Sequence, residues 1–256
     1  QRISELGYNL LVFGPSDPHK ALDSLVEQRI DGLIMFHPGY GLNRDLEKRW
    51  PVVLVQQHAV NGIPSVMLDP EPGMLQAVDH LSELGHRHVL YLGLKEEGQE
   101  RASERRIFFA SGAEKAGMVC EELFISRPKG FNLEIEHQLE WYIEEVEKEL
   151  AYSDDVTAIM CYNDFVALAL CSVLGKRGVR VPEDMSIIGF DDFYSQFAIP
   201  SLTTVSHMLP EIGARAVDLL IEINEKGIEY PHEVEIKVAS ELVVKNSTGP
   251  AEQGSI

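Results

Sequence analysis

Residues 181–205 read VPEDMSIIGFDDFYSQFAIPSLTTV, and the reading of this stretch decides the fold. Pro182 closes off the preceding helix, because its nitrogen carries no hydrogen and its ring restricts the residue before it. Ser186 to Phe190 is a short apolar run with β-branched members, as expected of a strand buried on both faces of a parallel sheet. The run stops at Asp191 and Asp192. In open parallel α/β sheets, ligands sit beyond the carboxyl ends of the strands, so a carboxylate placed there faces a crevice. Residues 199–205, IPSLTTV, then lead away in an extended form, as the wall of a small-molecule site.

On the N-terminal side, Ile3 to Leu6 reads as the end of a helix stopped by Gly7. Tyr8 to Phe13 reads as a strand, and a helix follows with Pro18 in its first turn and Leu22, Leu25, Val26 and Ile30 on one face. Gly32 to Phe36, Val52 to Val55 and Ser65 to Leu68 are further strands, so the elements before Asp69 alternate at βαβ spacing. A second alternating series begins after Pro70. It has a helix with Leu75, Val78, Leu81 and Leu84 on one face, a strand over Val89 to Gly93, a helix over Arg105 to Lys115 and a strand over Leu123 to Ser126. An acidic helix over Glu134 to Leu150 comes next, read as a solvated face, then a strand over Thr157 to Cys161 and a helix over Phe165 to Lys176. Asn163 and Asp164 precede that helix, and Asp164 is the expected cap. After the 181–205 stretch come an amphipathic helix over Glu211 to Lys226, strands over Val234 to Val238 and Leu242 to Val244, and a loose tail from Ser247. Two alternating series imply two doubly wound α/β lobes with a cleft between them.

At 256 residues the chain is long enough for two such lobes. A net charge of −19 argues against nucleic-acid binding by these residues, and against an anionic membrane surface. No apolar run approaches the roughly 20 residues that cross a bilayer, and the opening QRISELG has no signal-peptide character. Cys120, Cys161 and Cys171 show no CxxC spacing and read as small buried hydrophobes in a reducing, cytoplasmic compartment. His86 and His88 alternate at the start of a strand and so point to opposite faces; they read as packing, and neither a metal nor a cofactor is expected. Asp69 reads as structural. The sequence has no GxxxxGK[ST], GxGxxG, GxSxG or HExxH motif, and Gly175-Lys176-Arg177-Gly178 reads as a helix stop.

Several segments, in order, resemble the effector-binding core of LacI-family transcriptional regulators. They are AVDHLSELGHRHVLYLG, ERRIFFASGAEKAG, TAIMCYNDFVALALCSVLGKRGVRVPED, VPEDMSIIGFDD, PSLTTV, IGARAVDLLIE and ELVVKNST. The likeness runs from about Ile3 to about Thr248. It implies a periplasmic binding protein-like type I fold, with two doubly wound parallel-sheet lobes joined by three crossovers. The expected N-terminal lobe is residues 1–68 plus 207–239 and the C-terminal lobe 69–206 plus 240–248, with 249–256 a tail. Such regulators carry an N-terminal helix-turn-helix domain of about 60 residues. Gln1-Arg2-Ile3 falls inside the family's first core helix, so these residues are expected to be a fragment of a longer product, lacking that domain and a first central strand.

The resemblance assigns ligand contacts residue by residue. Asp191 matches an aspartate that accepts hydrogen bonds from neighbouring hydroxyls or an amine. Arg105 matches an arginine whose planar fork suits bidentate capture. Phe131 falls where an aromatic packs over the ligand ring, Asn163 where a strand-end amide donates and accepts, and His207 where the chain crosses between lobes. In the N-terminal lobe Phe36, His37 and Gln56 end strands, and Gln56 stands where the family commonly has Asp. The function implied is sensing of a small effector in the interlobe cleft: a sugar, a sugar phosphate, or alternatively a purine. A homodimer is implied too, with the helix over Phe165 to Leu174 and the helix after Pro70 as candidate contacts. Operator DNA would be touched only through the absent domain. The alternatives are a solute-binding receptor of a sugar transport system and an enzyme on the same two-lobed scaffold.

Overall fold

Two separate sheets form from these strands, and each draws on two parts of the chain. The structure is a computed structural model and describes residues 2–12, 30–36, 50–56, 58–59, 62–96, 104–127, 135–226 and 234–251. The backbone divides into two compact units, Gln1–Asp69 with Met208–Val238 and Pro70–His207 with Ala239–Ile256.

The first unit contains α1 (Arg2–Glu5) and a four-stranded sheet. The strands lie in the order β1 (Leu33–Met35), β2 (Val52–Val55), β3 (Ser65–Asp69) and β9 (Glu235–Ala239), and β1–β2 and β2–β3 are parallel. Val52, Leu54 and Ile63 form its apolar centre with Leu33 and Met35 against them. The helix α6 (Leu209–Lys226) buries Ile212, Ala216, Val217 and Ile223. One expected strand is not formed. Tyr8–Val12 adopts no strand, and Leu10, Leu11 and Val12 are exposed. An apolar run becomes a strand only where another backbone takes up its hydrogen bonds, and among the described residues none pairs with this one. The helix expected over residues 18–30 lies outside the described residues, apart from Ile30.

The second unit is built on six strands in the order β10-β8-β7-β6-β4-β5. These are β4 (His88–Glu96), β5 (Val119–Arg127), β6 (Ala158–Cys161), β7 (Ser186–Asp191), β8 (Thr203–Ser206) and β10 (Glu241–Val243). All neighbours pair in parallel except β10, which runs antiparallel to β8. The chain adds β5 on one side of β4 and β6 on the other, so the strand order reverses between β4 and β6. Crevices open at such a reversal, beyond the carboxyl ends of the strands. The helices are α2 (Glu71–Glu83), α3 (Glu104–Lys115), α4 (Ile135–Glu149) and α5 (Asp164–Lys176). On α5, Val166, Ala167, Leu170, Val173 and Leu174 are fully buried against Leu90, Leu92, Ile159 and Ile187. Each buried Leu or Val there contributes about 1.5–3 kcal/mol. The stripe of α2 is Gly73, Met74, Ala77, Val78 and Leu81. Leu75 and Leu84, expected on that stripe, are only half-buried.

Residues from Ser247 onward do not form a loose tail, at least as far as Ala251. Ser247 is fully buried; its hydroxyl donates to the Ile187 carbonyl at 2.6 Å and accepts the Thr203 N–H at 2.8 Å. The Thr248 hydroxyl meets His80 Nε2 at 2.9 Å, and the Ala251 N–H donates to the Leu84 carbonyl at 2.9 Å. His86 lies beneath this strap and is 1% exposed. Its Nε2 sits 3.1 Å from the Gly249 carbonyl, which only accepts, so this nitrogen carries the proton and Nδ1 accepts from the Thr157 hydroxyl at 2.8 Å. The small polar residues of the strap substitute for ladder partners that sequence periodicity does not reveal.

Candidate functional site

The carboxyl edge of the second unit's sheet gathers a cation, an anion and an imidazole. Arg105, in the first turn of α3, lays its guanidinium 3.7 Å from the Phe190 ring centre and 4.9 Å from that of Tyr162. Its Nη1 donates to the Tyr162 carbonyl at 2.8 Å, and its Nη2 lies 3.7 Å from Asp191 Oδ1. The second separation is an ion pair rather than a hydrogen bond, so one N–H of the fork is committed to the Tyr162 carbonyl and Nη2 faces Asp191 without a hydrogen bond to it. His207 Nδ1 donates to the same Asp191 oxygen at 2.9 Å, and its ring stands edge-on to Phe190 at 5.7 Å. About one-fifth of each of the three side chains reaches solvent: 19% for Arg105, 22% for Asp191 and 20% for His207. A fixed donor fork thus sits beside a carboxylate acceptor in a partly dry setting.

The backbone under Asp191 is unusual. Asp191 and Asp192 have φ values of +109° and +60°, a left-handed region that residues with a Cβ occupy only when other contacts hold them. Those contacts are visible. Asp192 takes Lys245 Nζ at 2.6 Å and the Ser195 hydroxyl, and Lys245 Nζ also reaches Ser195 Oγ at 2.5 Å. Asp164, at the start of α5, is 1% exposed and accepts from the Thr204 hydroxyl at 2.7 Å and the Phe193 N–H at 3.0 Å. Gly189 makes the room: a Cβ there would stand 2.4 Å from Asp164 Oδ1. Burial pushes the Asp164 carboxyl up to about 6, with the neighbouring Asp191 charge acting in the same direction.

The expected cap is therefore corrected: Asn163, and not Asp164, caps α5. Asn163 is the helix cap, its Oδ1 accepting the Val166 N–H at 3.0 Å, and its amide N–H groups take no part in the cap. Asp164 faces inward and holds the turn after β7. Sequence spacing cannot separate two adjacent capping residues; the buried hydroxyl of Thr204 and the missing side chain of Gly189 do so. The acidic helix α4 is likewise not merely a solvated face. Tyr142 and Val146 are buried, and Tyr142 bonds Arg127 at the end of β5 and is 6.1 Å from the Phe165 ring. Burial raises the Tyr142 hydroxyl above its ordinary value.

In the first unit, Phe36 and Gln56 follow the adjacent parallel strands β1 and β2. Gln56 has φ +59°, and its buried Nε2 has no hydrogen-bond partner among the described residues. Phe36 is 67% exposed. His37 and Phe131 lie outside the described residues. The three thiols are unpaired, and burial pushes Cys120 up to about 11 and Cys171 up to about 12. Among the described residues no group of three His, Cys, Asp or Glu is arranged to hold a metal. No helix of the described residues is long and apolar enough to cross a membrane.

A family model described as a periplasmic binding protein-like domain matches residues 78–248. The structure of a LacI family transcriptional regulator from Bifidobacterium animalis subsp. lactis superposes with a TM-score of 0.72 at 26% identity, covering 98% of this chain and 91% of that one. The HTH-type transcriptional repressor PurR of Mannheimia succiniciproducens is 32% identical over 255 residues, covering 94% of this chain and 72% of the repressor. The chain belongs to the LacI family of transcriptional regulators. A further LacI-type structure, a periplasmic binding protein/LacI transcriptional regulator from Alkaliphilus metalliredigens, is 25% identical with a TM-score of 0.71 and covers 96% and 90% of the two chains. That protein is complexed with D-xylulofuranose. The LacI-family fold, with its parallel-sheet α/β lobes, accounts for both sheets described above.

Proposed function

We propose that this LacI-family chain senses a sugar or sugar derivative, and that Arg105, Asp191, His207 and Asn163 contact it. The observation that carries this reading is the Arg105–Asp191 pair, 3.7 Å apart at the carboxyl edge of the sheet. A donor fork beside a carboxylate matches neighbouring hydroxyls, each of which both donates and accepts. The D-xylulofuranose held by the Alkaliphilus relative supports the class. Phe36, Gln56, His37 and Phe131 are proposed as further contacts, Gln56 on the strength of its unpartnered buried amide. The relatives regulate transcription, and binding without catalysis is the proposed mode here. An effector that favours one arrangement of the protein shifts its population, and couplings of about 1–3 kcal/mol are usual. With a net charge of −19, operator contact is proposed for a helix-turn-helix segment outside these 256 residues. The cytoplasm is the proposed compartment.

A thermal-shift screen against sugars, sugar phosphates and nucleobases tests the class. A compound at 100 times its Kd adds about 2.7 kcal/mol, which raises Tm by several degrees. At least one sugar or sugar phosphate is expected to do this. Stabilisation by nucleobases with none from any sugar would transfer the site to the purine class.

A homodimer is proposed as well, through the segment after β7. The outward residues of α2 are Glu71, Gln76, Asp79 and Glu83, which do not favour association. Beside Phe165 of α5, by contrast, Tyr194 packs at 5.0 Å, and Phe193, Phe197 and Ile199 are 55%, 75% and 96% exposed. Apolar side chains left together in water are characteristic of an interface. Sedimentation is expected to give twice the chain mass, and Phe197→Glu with Ile199→Glu to halve it. An unaltered dimer in that double variant would place the interface elsewhere.

A further inference from the structure

We propose that Lys245 is a positioning residue of the effector site: its ammonium takes Asp192, so that Arg105 and His207 are left to Asp191 alone. The proposal rests on the reading of Asp191 as an effector contact. Asp191 and Asp192 are adjacent in the chain and both hold positive φ, yet their carboxylates have separate partners. Asp191 Oδ1 meets Arg105 Nη2 at 3.7 Å and His207 Nδ1 at 2.9 Å. Asp192 Oδ1 meets Lys245 Nζ at 2.6 Å and accepts from the Ser195 hydroxyl, and Ser195 is buried. Lys245 Nζ also donates to Ser195 Oγ at 2.5 Å, so ammonium, hydroxyl and carboxylate all touch one another. Lys245 and Asp192 are only 20% and 27% exposed, against 54% and 52% for the surface pair Lys176–Glu147. Water and salt screen the Lys245 pair less than an ordinary surface pair, so its loss is felt.

The lysine is held at its base as well as at its tip. Its backbone N–H donates to Thr203 Oγ1 at 3.0 Å, and Thr203, the first residue of β8, is fully buried. The next N–H, of Asn246, donates to the Ser201 carbonyl at 3.0 Å. The Leu202 N–H donates to the Ser195 carbonyl at 2.9 Å and closes the loop that runs out from Asp192. Lys245 therefore reaches that loop from a fixed point at the edge of the sheet. Without the ammonium, Asp192 becomes an uncompensated carboxylate beside Asp191. Like charges on adjacent residues repel, and Arg105 is the cation already paired with Asp191. Asp192 then competes for that guanidinium, and Asp191 is displaced from the orientation in which it meets a ligand. Lys245 thus acts on the effector through the two aspartates rather than by contact.

The test uses the full chain and begins without a ligand. In hydrogen–deuterium exchange read by mass spectrometry, Lys245→Met is expected to speed exchange over residues 192–202, while the strap 247–251 keeps its protection. Methionine preserves an apolar stem, so a lysine that merely packs would be replaced without effect. The double variant Lys245→Met with Asp192→Asn, in which the stranded charge is gone, is expected to exchange as the parent chain does. Asparagine tolerates the positive φ of that position. Lys245→Arg, which keeps the charge, is expected to behave like the parent as well. Unaltered exchange in Lys245→Met, or a loss that Asp192→Asn does not reverse, overturns the proposal. With D-xylulose as probe in calorimetric titration, Kd is expected to rise about tenfold in Lys245→Met and to return to within about threefold of the parent value in the double variant. Equal Kd in the parent chain and Lys245→Met also overturns it. Failure of D-xylulose to bind any of these chains counts against the sugar reading alone, and exchange over 192–202 then decides the role of Lys245.

Discussion

Arg105→Ala is expected to abolish the thermal shift produced by any effector found in the screen, with Kd raised about thirtyfold or more. Removing a charge-assisted donor from a partly dry site costs about 2–4 kcal/mol, because the ligand oxygens it served are left unpaired and Asp191 loses its neighbouring cation. The loss exceeds that of a surface arginine because this guanidinium is already oriented by Phe190, Tyr162 and the Tyr162 carbonyl. Lysine is expected to restore little, since a point charge cannot reproduce the fork. Asp191→Asn is the appropriate companion. Asparagine tolerates φ of +109°, whereas alanine there would add backbone strain to the loss of the carboxylate. Calorimetric titration of each variant measures the effect, and far-UV circular dichroism verifies the fold. Arg105→Ala binding within threefold of the parent chain would remove this residue from the site.

The largest effect on stability is expected at His86. Its imidazole is 1% exposed and meets Thr157, Ser186 and Gly249 across three segments. His86→Ala leaves a cavity and strands those polar groups, at about 2–4 kcal/mol, or a Tm lowered by roughly 5–15 °C. Burial lowers the pKa of His86, and that of His80 under the same strap. The unfolded chain then binds more protons than the folded one between the two pKa values. The contribution of each histidine is complete above about 6.5 and is lost as pH falls through the lower folded value. Asp164 opposes this: its raised value makes its contribution complete below about 4 and lost as pH rises through about 6. Comparing the parent chain with His86→Gln isolates the histidine. Denaturant unfolding at pH 7.5 and pH 5 is expected to show a smaller loss of stability on acidification in the variant. Equal losses would take His86 out of this account.

Much of the fold was legible because it rests on local rules. The strand over 186–190, the strand over 52–55 and the helix over 164–176 follow from apolar runs and their period, and they place Asp191 and Asn163 at strand ends without any tertiary information. Gly7, Gly85 and Gly178 mark helix stops because each takes a positive φ of +78°, +90° and +79°, which a Cβ disfavours. The site was legible in part. Arg105, Asp191 and His207 were matched through family segments and stand together in the second unit. Phe190 and Tyr162, the rings around Arg105, were not anticipated, since a strand aromatic reads as core whichever neighbour it meets.

What the sequence determined by itself is the position of most strands and helices among the described residues and the strand-end placing of Asp191 and Asn163, because periodicity, chirality and chain breaks act over a few residues. What the tertiary structure decided is which partner each polar group meets. Asp164 finds Thr204 across 40 residues and His86 finds Gly249 across 163. The strap 247–251 is held by side-chain hydroxyls, whereas Tyr8–Val12 has no paired strand among the described residues despite its strand-like composition. Hydrogen bonds between distant segments depend on where the burial of apolar faces carries them, and no local pattern contains that information.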